Sequence, residues 1–178
     1  MNKNTEIGAT YEAAGVNLEG SRDIKDTIKA LATQTYGDGV VGGVGGFGAM
    51  YKIAGYANPI LVTSTDPVGT KLMVAGMVGS YENIGADLVN ACVNDLIVLG
   101  AKPIIFLDYI SINNIDLKKL KSILIGILKG CKISGCELVG GETAEMPDTY
   151  EKGKFDLAGF SVGVVDNKKI LSKKKIKK

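Results

Sequence analysis

Between Asp116 and Cys131 the residues Leu117, Leu120, Leu124, Ile127, Leu128 and Cys131 recur at spacings of three and four, so a helix there carries one apolar stripe. Asp116 is placed as its N-cap, and Gly135 ends the region. The runs on either side are of a different kind. Ile104 to Ser111 and Cys136 to Val139 are short apolar or alternating segments, which read as strands. An amphipathic helix between two strands must bury its stripe against the sheet they form, and this limits the chain to folds that mix helix and sheet.

The other segments agree. Ser21 is a candidate N-cap for a helix from Arg22 to about Thr33, with Ile24, Ile28 and Leu31 on one face. Gly37 to Gly48 holds seven glycines in twelve residues, interrupted by Val40, Val41, Val44 and Phe47. It reads as a short strand breaking into a loop where backbone approaches something closely. Ile60 to Thr65 predicts a buried strand ended by Asp66-Pro67, because the residue before proline is pushed out of the helical region. A helix over Tyr81 to Leu99 is closed by Gly100, and Phe155 to Val165 predicts a last strand. The expected fold is α+β, helices on one face of a mixed sheet. The boundaries are an N-terminal segment 1–20, one domain over 21–166 and a lysine-rich tail over 167–178.

Composition narrows the chemistry. With 46% apolar and 22% charged residues in 178, the chain is ordinary globular protein with room for one core. The net charge of +2 conceals seven lysines in Lys168 to Lys178. That tail has no arginine and no interleaved aromatics, so it reads as a solvated end and not as a nucleic-acid surface. Cys92, Cys131 and Cys136 form no CxxC, which argues against a disulfide framework or a zinc site and suits a reducing cytoplasm. No stretch has the apolar length of a membrane span, and none resembles a signal peptide. There is no histidine, which removes histidine bases, triads and zinc ligands from this chain. Carboxylates, lysines, amides and backbone must carry any chemistry.

Four stretches offer them. In Thr63 to Lys71, TSTDPVGTK, the glycine pattern is not that of a Walker loop, and Asp66 would repel a polyphosphate unless a divalent cation lay between them. Asp66 then reads as a Mg²⁺ ligand. Gly69 and Thr70 would offer backbone and hydroxyl donors, and Lys71 a charge. The same residues also fit an Asp-Pro turn beside a solvated lysine. On the next helix Asp87, Asn90 and Asn94 form a polar stripe with Asp95 adjoining, all short acids or amides where an ordinary solvent face would include lysine or glutamate. Gly140-Gly141-Glu142, with Glu145 beyond, reads as a turn past a strand end where backbone meets a ligand, or as the start of a capped helix. Gly42 to Gly48 lacks the βαβ frame and the acid about 20 positions on that a dinucleotide fingerprint needs, and reads as a mobile flap.

Six stretches in order, YEAAGVN (from Tyr11), GGVGGFGAM (from Gly42), STDPVGTKL (from Ser64), IGADLVNACVNDLIVLGAKPIIFLDY (from Ile84), GCELVGGETAEMP (from Gly135) and DLAGFSVGVV (from Asp156), closely resemble the AIR synthetases. These are the phosphoribosylformylglycinamidine cyclo-ligases of purine biosynthesis. Selenophosphate synthetase, thiamine-monophosphate kinase and the hydrogenase-maturation dehydratase share the domain, but GGETAEMP and YEAAGV look like the cyclo-ligase. The resemblance implies ATP-dependent closure of formylglycinamidine ribonucleotide to aminoimidazole ribonucleotide, with ATP and Mg²⁺ bound. It implies Asp66, Asp87, Asp95 and Glu142 as metal ligands, and Lys29, Lys71 and Asp66 at the reacting phosphates. Gly45, Gly46 and Gly48 would form the flap, and Gly69, Thr70, Asn94, Gly141 and Glu142 would meet the nucleotide. Members of the family are about twice this length, so the chain reads as the N-terminal half. It is expected to form a homodimer whose sheets pair into a barrel, and a C-terminal domain is expected to complete the site. A non-catalytic dimerisation scaffold and a related kinase or selenophosphate-synthetase-like enzyme are the alternatives.

Overall fold

The computed structural model describes residues 18–176, so the Tyr11 to Asn17 stretch lies outside the described residues. Helix α1, Leu18–Ala32, leads through a short ribbon of β1, Val40–Val41, and β2, Met50–Tyr51, into strand β3, Pro59–Pro67. Helices α2, Lys71–Val78, and α3, Glu82–Ile97, follow, then β4, Lys102–Ile112, α4, Leu117–Ser134, β5, Glu137–Glu145, and β6, Phe155–Asp166. The main sheet has the order β3-β6-β4-β5, antiparallel except for the parallel β4 and β5 that α4 connects. It is a mixed α+β fold, as the alternation of periodic segments led one to expect.

Registers assign the two faces. Asp66 pairs with Gly159, Gly159 with Asp108, and Asp108 with Gly141, giving one row across all four strands. Side chains alternate along a strand, so residues two apart from this row share its face. That face bears Phe106, Ile110 and Leu157, and also Leu138, which a bulge in β5 pairs with Phe106, all fully buried against Leu88, Val89 and Cys92 of α3 and Leu120, Leu124 and Ile127 of α4. The opposite face leaves Leu61 56%, Tyr109 41% and Phe160 40% exposed. Helices α3 and α4 cross on backbone. A Cβ on Gly85 would overlap Ile123 O, and one on Gly126 would overlap Glu82 O, so both positions must be glycine for the helices to approach this closely.

The helix α4 expectation holds in detail. The Asp116 side chain accepts a hydrogen bond from Lys119 N at 3.1 Å, and Gly135 ends the helix at φ 68°. Elsewhere tertiary context changes the local reading. Ser21 lies inside α1 and is not its N-cap. Strand β3 runs on through Asp66 to Pro67, because β3 is an edge strand where a missing N–H need not break the ladder. Gly140 to Glu142 is strand and not a turn or a helix start, since pairing with β4 carries the ladder through to Glu145. Helix α2 was not expected, because KLMVAGMV is apolar all round and shows no helical period. In the tail Lys168, Lys169, Lys173 and Lys174 are solvated, but Ile170 packs against the cluster of Leu96, Ala101 and Val165. Cys92, Cys131 and Cys136 are free and buried.

Candidate functional site

The ribbon β1–β2 holds the glycine loop out from the domain, and two tyrosines fix it. Tyr36 Oη accepts a hydrogen bond from Val44 N at 2.9 Å, inside the loop. At the base, Tyr51 Oη donates to Glu137 Oε1 at 3.1 Å, tying β2 to the start of β5. Gly39 makes room for that tyrosine ring, which a Cβ would overlap. Burial, then the Glu137 charge, pushes the Tyr51 hydroxyl up to about 12. The second Glu137 oxygen is buried without a partner.

Beneath the loop lies a cavity of about 1350 Å³. The loop forms one wall, α1 with Ile28 and Lys29 another, and β5 from Val139 to Thr143 the floor. Thr65 and Gly159 extend it across the sheet, where Thr65 Oγ1 donates to Gly159 O at 2.8 Å. Of the residues singled out from the sequence, Lys29, Gly45, Gly46, Gly48, Gly141 and Glu142 all line this space.

A second group gathers where β3 meets α3. Ser64 Oγ donates to Asp95 Oδ2 at 2.9 Å, and Asp66 and Asp95 both bear on the Cys92 thiol between them. Burial first, with those two charges behind it, pushes that thiol up to about 11. Lys71 Nζ and Asp87 Oδ2 form an exposed pair at 2.8 Å. Gly69, at φ 75°, and Thr70 precede α2, and Asn94 faces solvent on α3. Asp66 and Glu142 stand on the two outer strands, three strand spacings or about 14 Å apart, and on opposite faces. The four acids therefore do not converge. Among the described residues no group of three or more histidines, cysteines and acids is placed to hold a metal ion.

Asp108 was not singled out from the sequence. It is 4% exposed and lines the cavity, and burial, with a contribution from Glu142, pushes its carboxyl up to about 7. The signal was there to read: an acid inside the apolar run IIFLDYI occupies a position where a strand this buried normally carries a hydrophobe. Thr143, whose Oγ1 is buried without a partner, also lines the cavity.

This arrangement of mixed sheet and helices is an established one. Thiamine-monophosphate kinase from Stenotrophomonas maltophilia matches 82% of this chain and 42% of its own, with a TM-score of 0.64 at 21% identity. The hydrogenase maturation protein HypE of E. coli matches 86% and 48%, with a TM-score of 0.64 at 17% identity. A HypE structure in complex with ATP matches 88% and 43%, with a TM-score of 0.60 at 19% identity. At such identities the likeness defines the fold class.

Sequence relationships go further. Residues 46–165 match the family described as AIR synthase related protein, N-terminal domain, and the chain belongs to that family. Phosphoribosylformylglycinamidine cyclo-ligase of Thermoanaerobacter pseudethanolicus is 47% identical over 167 residues, 94% of this chain and 50% of its own length. The enzyme of the same name from Caldanaerobacter subterraneus is 48% identical over 161 residues, 90% of this chain and 48% of its own. The chain thus spans about half the length of the curated relatives it matches.

Proposed function

We propose that this chain is the ATP-binding, dimerising half of a phosphoribosylformylglycinamidine cyclo-ligase, acting in purine biosynthesis in the cytoplasm. One observation carries the reading: a chain 47% identical to such enzymes holds the glycine loop, Lys29 and the Gly140-Gly141-Glu142 stretch around a single cavity of about 1350 Å³. ATP in a related fold supports the nucleotide, since one HypE structure is a complex with ATP.

The residues present suit a phosphate-bearing ligand. Gly45, Gly46 and Gly48 present backbone without side chains, so their N–H groups can approach phosphate oxygens, and Lys29 adds charge from the facing wall. Mg²⁺ normally takes one or two carboxylates and completes its shell with water and phosphate oxygens. Asp66 and Asp95, gathered about Cys92, suit that mode, with Asp87 and Lys71 beside them and Glu142 across the sheet. When bound, the ion supplies charge neutralisation at the transferring phosphoryl group. Phosphorylation of the formyl oxygen makes it a leaving group, and attack by the amidine nitrogen closes the imidazole. The share of this chain in that reaction is orientation and electrostatics, which needs no histidine.

Leu61, Tyr109 and Phe160, exposed on the helix-free face, support a homodimer in which two sheets pack together. Residues from the C-terminal half would close the cavity. Calorimetry with Mg·ATP tests the reading: binding that Asp66→Ala weakens tenfold or more is the expected result. No heat from the parent chain, together with a monomer in sedimentation, would refute it.

A further inference from the structure

Asp108 and Thr143 lie on one face of neighbouring strands, since Asp108 pairs with Gly141 and Ile110 with Thr143. The Asp108 carboxyl is placed over Gly141, where a Cβ would overlap Oδ1. Gly141 is exposed and lines the cavity, and its missing side chain is what leaves room for the carboxyl beside that space. The groups that bear on Asp108 are its own backbone amide, the Glu142 carboxylate and the Cys131 thiol, and no cation is among them. Two residues along β5, the buried Thr143 Oγ1 has no hydrogen-bond partner.

We propose that the Asp108 carboxyl and the Thr143 hydroxyl form a subsite that binds a nitrogen hydrogen-bond donor of the substrate, its amidine, apart from the phosphate-facing glycines. This rests on the ribonucleotide reading above. Among the described residues neither Asp108 nor Glu142 forms an ion pair, so a phosphate seated between them would be opposed by both, whereas Lys29 favours it at the facing wall. An amidine presents parallel N–H groups in one plane, the geometry a carboxyl accepts best, and leaves a second donor for the hydroxyl. Against the ionised carboxyl, an amide in its place offers one fewer N–H donor and sets its carbonyl oxygen against the carboxylate. The subsite therefore selects an amidine ribonucleotide over its amide counterpart.

The test is calorimetric titration of the full chain with phosphoribosylformylglycinamidine, with the analogue carrying an amide oxygen in place of the amidine nitrogen, with Mg·ATP and with Mg²⁺ alone. The parent chain is expected to prefer the amidine by at least tenfold. Asp108→Asn should bring that ratio close to one and leave Mg·ATP affinity unchanged, and the near-isosteric Thr143→Val should reduce it several-fold. An unchanged ratio in both variants overturns the proposal, as does loss of Mg²⁺ binding in Asp108→Asn with the ratio intact. Mg·ATP binding without amidine preference in the parent refutes the subsite alone. Amidine preference without ATP binding refutes the ATP reading alone, and binding of neither refutes both.

Discussion

Replacing Asp108 by asparagine should make the protein more stable, and increasingly so as pH rises. The carboxyl is buried on the helix side of the sheet, and burial pushes it from 3.8 up to about 7. In the unfolded chain it gives up its proton near the lower value, in the folded chain near the upper. Between the two the folded state binds more protons, so stability falls as pH rises through that window and the full cost is present above pH 7. About three pKa units at about 1.4 kcal/mol each give roughly 4 kcal/mol. Asparagine has no charge to desolvate. The stability gap between variant and parent should therefore widen by about 4 kcal/mol from pH 4 to pH 8, a shift on the order of 10 °C in melting temperature for a chain of this size. Urea melts of both proteins across that range measure it, and carboxylates common to the two cancel in the difference. A gap that stays within about 1 kcal/mol, or that narrows toward high pH, would show that Asp108 is solvated or paired with a cation.

Gly126→Ala should cost about 3 kcal/mol in chemical denaturation, because its Cβ meets the Glu82 carbonyl, which cannot move without parting α3 from α4. Gly76→Ala on α2 is its counterpart: nothing stands within 4 Å, so the gain in helix propensity should stabilise by about 0.5–1 kcal/mol. Tyr51→Phe leaves the Glu137 carboxylate without its hydrogen-bond donor and should cost about 1–3 kcal/mol. Hydrogen exchange at Lys52 N, which bonds Gly39 O, should quicken in that variant if the contact holds the ribbon down. Lys71→Met breaks a pair whose side chains are 59% and 42% exposed, so melting should be unchanged while Mg·ATP affinity falls at least tenfold.

Helix α4 could be read in the sequence down to its caps, since a stripe of six apolar residues, an Asx N-cap and a terminal glycine are all local signals. What escaped depends on partners far along the chain. Gly140-Gly141-Glu142 has the composition of a turn, and only the register with β4 makes it strand. Asp66-Pro67 has the composition of a strand stop, and only its place on an edge lets β3 continue. Helix α2 lacked any period because several of its apolar residues are exposed, among them Met77 at 81%. The site divides along the same line. Glycines and charged residues pick out the cavity walls from composition alone, and the loop, Lys29 and Glu142 do meet there. The resemblance groups Asp66 with Glu142 as metal ligands, and the order of the strands sets them on opposite edges.

That separation bears on how much of a site one chain of this kind can make. The acids about Cys92 and the glycines about the cavity sit at different places on the sheet, joined by the row Asp66, Gly159, Asp108, Gly141. Two of the four positions are glycine, and the sheet explains both. A Cβ on Gly159 would stand 3.0 Å from Cys92 Sγ and press on the Phe106 ring, and one on Gly141 would displace the Asp108 carboxyl. Gly141 thus lets Asp108 lie on the packed face of the sheet, a position that is costly for a carboxylate, while Gly159 makes room for Cys92 and the Phe106 ring. A core selected only for stability would fill that row with hydrophobes. Asp108, pushed to about 7 by burial, is the acid of that row that costs stability, and it is the one that lines the cavity.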